Sequence, residues 1–283
     1  MDFTVALAQI KPKLGCVAEN LGMIEAAVER GIQEGAGLVL FPELALTGYF
    51  LKDLVPDVAL SLDSPEIGRL IELSRQISIA VGFVEVSADY RFFNSALYLE
   101  GGEIRHLHRK VYLPTYGMFD EQRYLAQGER IRAFDTKFGR MGMLICEDMW
   151  HLSASYILAM DGAMTLLCLS SSPGRGITEG DSLGSTTAWQ KLTATTAMFL
   201  NCRVLYCNRV GYEDGVSFWG GSESVAPSGV VAERGKILEE DFVVARVEEG
   251  ALRRERIFAP MMRDESLAVT MKELHRIERE RDC

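Results

Sequence analysis

Residues 3–41, FTVALAQIKPKLGCVAENLGMIEAAVERGIQEGAGLVLF, decide the fold class. Phe3–Ile10 is an apolar, β-prone run of strand length. Leu21, Ile24, Val28 and Ile32 then recur at helical spacing, which predicts an amphipathic helix over residues 19–34. Gly35 and Gly37 stop that helix. Leu38–Phe41 is a short buried strand that ends at Pro42. Strand, helix and strand in succession are the opening of a layered α/β fold.

The pattern extends along the chain. Helices are predicted over 65–76, 151–160 and 185–200, and strands over 78–86, 141–145, 163–169, 203–208, 222–226 and 242–247. Residues 93–99 and 103–109 read as a hairpin across Gly101 and Gly102. From Glu265 the tail is charged and helical, with Leu267, Met271, Leu274 and Ile277 on one side. No linker, composition break or long-period repeat interrupts residues 1–283, so a single domain with that helical tail is expected. Some strands are apolar at nearly every position, and such strands need cover on both sheet faces.

Composition narrows the functional classes. Lysine and arginine number 30 against 40 acidic residues, and the formal charge of −10 disfavours non-specific nucleic-acid binding. An apolar content of 48% with 25% charged residues fits a globular chain with a large core, not a disordered or coiled-coil one. No apolar run reaches membrane-spanning length. The N-terminus carries Asp2 and lacks a basic region followed by an apolar stretch, so no leader is expected. Cys16, Cys146, Cys168, Cys202, Cys207 and Cys283 are dispersed and form no CxxC pair, which reads as reduced thiols in a cytoplasmic protein. With four histidines and no Cys/His cluster, no zinc site is expected.

Dinucleotide and P-loop fingerprints are absent, and Gly220–Ser224 lacks the closing glycine of a GxSxG elbow. Three other segments carry chemistry. In FPELALTGY (41–49), Glu43 follows a buried strand at the sheet edge where α/β sites form, and a desolvated carboxylate there suits a general base. In HRKVYLPTYGMFDEQRY (108–124), a long loop mixes aromatics and charge, and Lys110 supplies a fixed cation. In GMLICEDMW (142–150), Cys146 ends an apolar strand just before a helix, a junction expected to lower the thiol pKa and hold an oxyanion. Read alone, each has a plainer explanation: a loop glutamate, a solvated basic strand end, a buried inert thiol.

Taken together and in order, the three blocks closely resemble the signatures of the nitrilase superfamily, the carbon–nitrogen hydrolases. Lys110 follows Glu43 by 67 residues and Cys146 follows Lys110 by 36, spacings ordinary for that family. The resemblance runs from VALAQIKPKLG to FAPMMRDES. It implies a four-layer α-β-β-α sandwich, with Cys146 as nucleophile, Glu43 as general base and Lys110 stabilising the tetrahedral intermediate. Glu121 of FDEQRY matches the family's second glutamate. The implied reaction is hydrolysis of a small-molecule amide through a cysteine thioester, releasing ammonia or amine and a carboxylic acid, with no cofactor and no metal. Family members commonly pair as homodimers through helices near the nucleophile, which makes residues 151–160 and the C-terminal helix candidate interface elements.

Within the family, true nitrilases usually place Trp-Glu after the nucleophile, whereas Glu147 and Asp148 stand here, which favours an amide over a nitrile. CEDMW, FPELALTGY and KVYLPTYGMFDE look most like the glutaminase domain of glutamine-dependent NAD synthetases. That domain normally precedes an SGGxDS-bearing synthetase domain, and no such loop occurs in these 283 residues. Two readings follow: a stand-alone amidase, or a glutaminase unit that hands ammonia to a separate synthetase. On the glutaminase resemblance, Tyr116, Glu147 and Ser172 of the Ser171–Pro173 segment match substrate-recognising positions. Arg175 has the chemistry to pair with a substrate carboxylate, its plainer reading being a solvated loop residue. SSSPGR departs from the family's usual Asn-Ala-Ser-Pro. A catalytically silent scaffold is the reading from outside enzymology, and the intact Glu43, Lys110 and Cys146 argue against it. Trp189 is expected in the core, while Trp150 and Trp219 suit either core or pocket; Cys168, Cys202 and Cys207 read as packing residues.

Overall fold

The opening unit folds as its periodicity predicts. Strand β1 (Phe3–Gln9), helix α1 (Val17–Gln33) and strand β2 (Leu38–Leu40) bring β1 and β2 side by side in parallel. The structure is a computed structural model that describes residues 1–176 and 183–281; Cys283 lies outside the described residues. After β2 come α2 (Val55–Val58), α3 (Pro65–Leu73), β3 (Ser78–Val86), β4 (Phe92–Glu100), β5 (Glu103–Arg109) and α4 (Glu121–Tyr124). The chain continues through β6 (Phe134–Thr136), β7 (Gly139–Ile145), α5 (Leu152–Met160), β8 (Thr165–Ser170), α6 (Gly184–Phe199), β9 (Arg203–Asn208), β10 (Val210–Glu213) and β11 (Val216–Trp219). It ends with β12 (Glu223–Val225), β13 (Val231–Arg234), β14 (Asp241–Val247), α7 (Glu249–Phe258), α8 (Met261–Asp264) and α9 (Leu267–Arg281).

Among the described residues two six-stranded sheets form, ordered β14-β1-β2-β3-β4-β5 and β13-β12-β9-β8-β7-β6, and β10 pairs with β11 apart from them. Each has a parallel centre, β1-β2-β3 in one and β7-β8-β9 in the other, with antiparallel strands outside. Side chains alternate between two cores along every central strand. Val5, Leu7, Leu40, Met143, Ile145, Leu167 and Leu205 pack between the sheets. Their neighbours Ala6, Val39 and Ile79 point outward onto Ile24 and Val28 of α1 and Ile67 and Leu70 of α3. On the second sheet, Leu144, Leu166, Cys168 and Val204 point onto Leu158 of α5 and Trp189 of α6. The molecule is therefore the expected α-β-β-α sandwich, and the uninterrupted apolar strands are those covered on both faces.

Differences from the sequence reading fall on short or polar elements. Strands β6, β10, β11 and β13 and helix α7 are not legible from periodicity; α7 buries Leu252 alone, and helical structure thus begins at Glu249, before the charged tail read from Glu265. In α9, Leu267, Met271, Leu274 and Ile277 are exposed. Among the described residues no helix is long and apolar enough to cross a membrane.

Candidate active site

The carboxyl-terminal ends of the two parallel centres meet, and the three sequence segments meet with them. Glu43 sits on the loop after β2 and is 1% exposed. That loop runs directly over β3 because residue 82 is glycine: a Cβ there would lie 2.5 Å from the Leu44 nitrogen. Leu44 takes a φ of 51°, a left-handed value unusual for a branched side chain. Glu43 Oε1 accepts from Lys110 Nζ at 2.7 Å and from Asn94 Nδ2 at 2.8 Å. Its other oxygen accepts the Ser171 backbone N–H at 2.8 Å, across the interface between the sheets.

Lys110 follows β5 and is fully enclosed. Its backbone N–H donates to the Asn94 carbonyl at 2.8 Å, so Asn94 holds both the lysine main chain and the Glu43 side chain. Lys110 Nζ also donates to Glu121 Oε1 at 2.7 Å. Burial alone would lower the Lys110 pKa, but the charges of Glu121 and Glu43 outweigh it and hold the ammonium well above its ordinary value. The same Glu121 oxygen accepts the Tyr49 hydroxyl. Burial raises the Glu121 carboxyl, Lys110 opposes it and Glu43 adds to it, leaving the group pushed up to about 7. Glu121 Oε2 is buried with no hydrogen-bond partner among the described residues.

Cys146 directly follows β7 and has a φ of 44°, a second strained backbone position at the cluster. It opens a short 3-10 turn, Cys146–Trp150, and α5 begins only at Leu152. The expectation of a lowered thiol pKa is corrected here. Burial and the Glu43 charge push the Cys146 thiol well above its ordinary value, with Lys110 pulling the other way. A five-residue 3-10 turn offers little aligned dipole to offset this. Ser170 Oγ approaches the sulfur at 3.4 Å.

The substrate-side residues divide in two. Tyr116, exposed by 53%, donates its hydroxyl to Glu147 Oε2 at 2.9 Å. The Arg175 guanidinium stacks over the Phe119 ring at 4.4 Å, and the Phe119 and Tyr116 rings pack edge to face. Together these residues form one rim bearing both signs of charge. Ser172 is instead buried, and its Oγ accepts the indole N–H groups of Trp189 at 2.8 Å and Trp219 at 3.3 Å. Its oxygen is thereby occupied by two donors, leaving the hydroxyl proton free to donate. Trp189 and Trp219 are core residues, whereas Trp150 is exposed by 41%.

Tyr49, His108 and Asp148 lie inside the three sequence blocks with no role that the sequence assigns them, and Asn94 and the Arg209–Glu213 pair lie outside those blocks. Arg209 Nη1 donates to Glu213 Oε2 at 2.6 Å, with both side chains buried. Glu213 Oε1 accepts the backbone N–H groups of Tyr49 at 2.8 Å and Phe50 at 2.7 Å, so this pair sets the loop that carries the Tyr49 phenol. The one local signal was polar residues inside apolar runs, such as Asn94 in FFNSALYLE. A cavity of about 110 Å³ borders the cluster at Tyr49, Phe119 and Glu121. A larger one of about 310 Å³, edged by Arg91, Arg109 and Arg130, contains none of the cluster's side chains. Among the described residues no group of His, Cys, Asp and Glu is arranged to hold a metal ion.

Comparison with known proteins gives a consistent picture. The family model described as carbon-nitrogen hydrolase matches residues 4–255. The glutamine-dependent NAD(+) synthetase of Synechocystis sp. is 34% identical over 262 residues, covering 86% of this chain and 46% of that protein. Among solved structures, the glutamine-dependent NAD+ synthetase of Acinetobacter baumannii superposes with a TM-score of 0.80 at 28% identity, covering 89% of this chain and 47% of that one. An amidase from Nesterenkonia sp. has the same fold, with a TM-score of 0.80 at 22% identity over 97% of this chain and 98% of its own. The chain spans about half the length of the synthetases it matches.

Proposed function

The chain belongs to the carbon–nitrogen hydrolase family and is a hydrolase of carbon–nitrogen bonds other than peptide bonds; from that premise we propose that it cleaves a small-molecule carboxamide through a thioester on Cys146. The observation that carries this reading is the buried Glu43–Lys110–Glu121 network, whose charges act on the Cys146 sulfur. Because the thiol is held protonated at rest, its proton has to leave as the carbonyl is attacked, and Glu43 is the base for it. The oxyanion then meets the Lys110 ammonium and the Glu147 backbone N–H. Glu43 returns its proton to the departing ammonia, and a water deprotonated by Glu43 hydrolyses the thioester. The free Glu121 Oε2 accepts an N–H of the substrate carboxamide. None of these steps uses a cofactor.

The rim favours the ω-amide of an amino acid, with glutamine the model compound. Glu147 is an acceptor for an α-ammonium and Arg175 a donor for an α-carboxylate, while Ser172 offers one remaining proton. Similarity to glutamine-dependent synthetases over about half their length supports the further reading that the released ammonia serves a separate synthetase. A stand-alone amidase acting on short aliphatic or N-carbamoyl compounds is the competing reading; the amidase whose fold this chain shares is matched over 98% of its own chain, without a synthetase portion beyond the match. Pairing of two copies through the exposed Leu152 and Ile157 of α5 and the apolar residues of α9 is proposed, with light scattering as its test.

The deciding experiment is ammonia release from glutamine, asparagine, aliphatic amides, N-carbamoyl amines and nitriles by wild type and Cys146→Ala. Hydrolysis lost in the variant supports thiol amidase chemistry, and glutamine as sole good substrate supports the ammonia-donating role. A folded wild type silent on every compound, with an unreactive Cys146, returns the scaffold reading.

A further inference from the structure

Lys110 and Cys146 stand on different sheets, one after β5 and the other after β7. Nothing in the local chain fixes the distance between them. One buried carboxylate spans the gap. Asp148 is 0% exposed, and its Oδ1 accepts the backbone N–H groups of Val111 and Tyr112, each at 3.0 Å. These are the two residues directly after Lys110. Its Oδ2 accepts the Ile145 N–H at 3.0 Å, the residue directly before Cys146, and contacts His108 Nε2 at 2.8 Å. His108 is itself 2% exposed and lies two residues before Lys110.

We infer that Asp148 is a positioning residue that sets the placement of the Cys146 sulfur relative to the Lys110 ammonium, with His108 orienting its carboxylate. The geometry explains how a left-handed φ at Cys146 is tolerated: the residue on its amino side is pinned to a carboxylate, and the same carboxylate pins the lysine loop. Two N–H groups on one oxygen and an N–H with an imidazole on the other fill its acceptor capacity, so the carboxylate is held in a single orientation. Burial would push this carboxyl up, but His108 and the backbone donors outweigh it and hold it below its ordinary value, so it stays an acceptor at neutral pH. An amide at this position replaces one acceptor oxygen by a donor facing the Ile145 N–H. The lysine and the sulfur then lose their common anchor, and displacements of about 1 Å between reacting groups reduce rates roughly 100-fold.

This inference rests on the amidase reading for its turnover measurement but not for its second readout. The experiment compares wild type, Asp148→Asn, His108→Leu and His108→Gln, by glutamine turnover and by the rate at which iodoacetamide alkylates Cys146. In Asp148→Asn, kcat is expected to fall about 100-fold with KM within about threefold, and alkylation to slow in parallel, in a protein with unchanged circular dichroism. His108→Gln keeps a donor toward Asp148 and should lose less of both rates than His108→Leu. If wild type turns over no amide, the functional reading fails while the alkylation series still tests the placement. Alkylation in folded Asp148→Asn within twofold of wild type overturns the inference, as does a raised KM with kcat unchanged. Should Asp148→Asn not fold, equal rates in the two His108 variants overturn it, and the expected order between them supports it.

Discussion

The Tyr49 hydroxyl offers a direct test of how the cluster sets its own charge. Glu121 Oε1 accepts from Lys110 and from this phenol, and the carboxyl stands at about 7 because burial and Glu43 raise it while Lys110 and Tyr49 lower it. Tyr49→Phe removes one hydrogen bond to the ionised form and little volume. A hydrogen bond to a charged group is worth roughly 1.5–3 kcal/mol, and one pH unit about 1.36 kcal/mol, so the Glu121 titration should rise by about 1 to 2 units. The proposed chemistry needs Glu121 ionised, to pair with Lys110 and accept the carboxamide N–H. Activity in wild type should therefore rise with pH through about 7, and the rising limb in the variant should lie about 1 to 2 units higher. At pH 7 that is a loss of about 5- to 50-fold, recovered in base. Linkage gives a second readout with a definite sign. A carboxyl raised in the folded state takes up a proton that the unfolded chain has already released, so its stabilising protonation is lost as pH rises from the unfolded value of 4.5 through about 7. In the variant this decline should extend to higher pH. The assay is ammonia release across pH, with urea unfolding in the same buffers. A folded Tyr49→Phe protein whose rising limb stays within about 0.3 unit of wild type would mean that the phenol does not set the Glu121 charge.

Gly82→Ala places a Cβ 2.5 Å from the Leu44 nitrogen; it should cost about 1–3 kcal/mol in urea unfolding and, by moving Glu43, reduce kcat about 100-fold. Lys110→Met leaves Glu43 and Glu121 buried without their cation; turnover should vanish, and stability should fall by about 3–5 kcal/mol at neutral pH. That deficit should shrink in acid as the carboxyls protonate, which unfolding at two pH values checks. Glu213→Gln leaves Arg209 buried without its carboxylate and weakens the anchor of the Tyr49 loop. Unfolding should show a loss of about 3–5 kcal/mol, and the remaining folded enzyme should show a lower kcat.

Much of this protein is legible one short window at a time. The strands over 78–86 and 203–208 stand where alternation and apolar runs place them, because each must present apolar groups to cores on both faces. Glu43, Lys110 and Cys146 are legible as strand-end residues inside three recognisable blocks, and the structure puts them together. The 3-10 turn that Cys146 opens and the short strands are not legible, since neither contains a full period of any pattern. The raised thiol is not legible in the sequence either, because burial and a carboxylate from another sheet decide it.

Side-chain chemistry and local period are enough to specify the layered α/β class, the alternation of strands and helices and the identity of the residues that carry charge and sulfur. Which groups meet depends on how the two sheets pack. The Ser171 N–H reaches Glu43 across 128 residues, Tyr49 reaches Glu121 across 72, and Asp148 joins the strand end before Cys146 to the loop after Lys110. Such contacts come from packing one sheet on another, and their energies depend on burial that no stretch of sequence contains on its own.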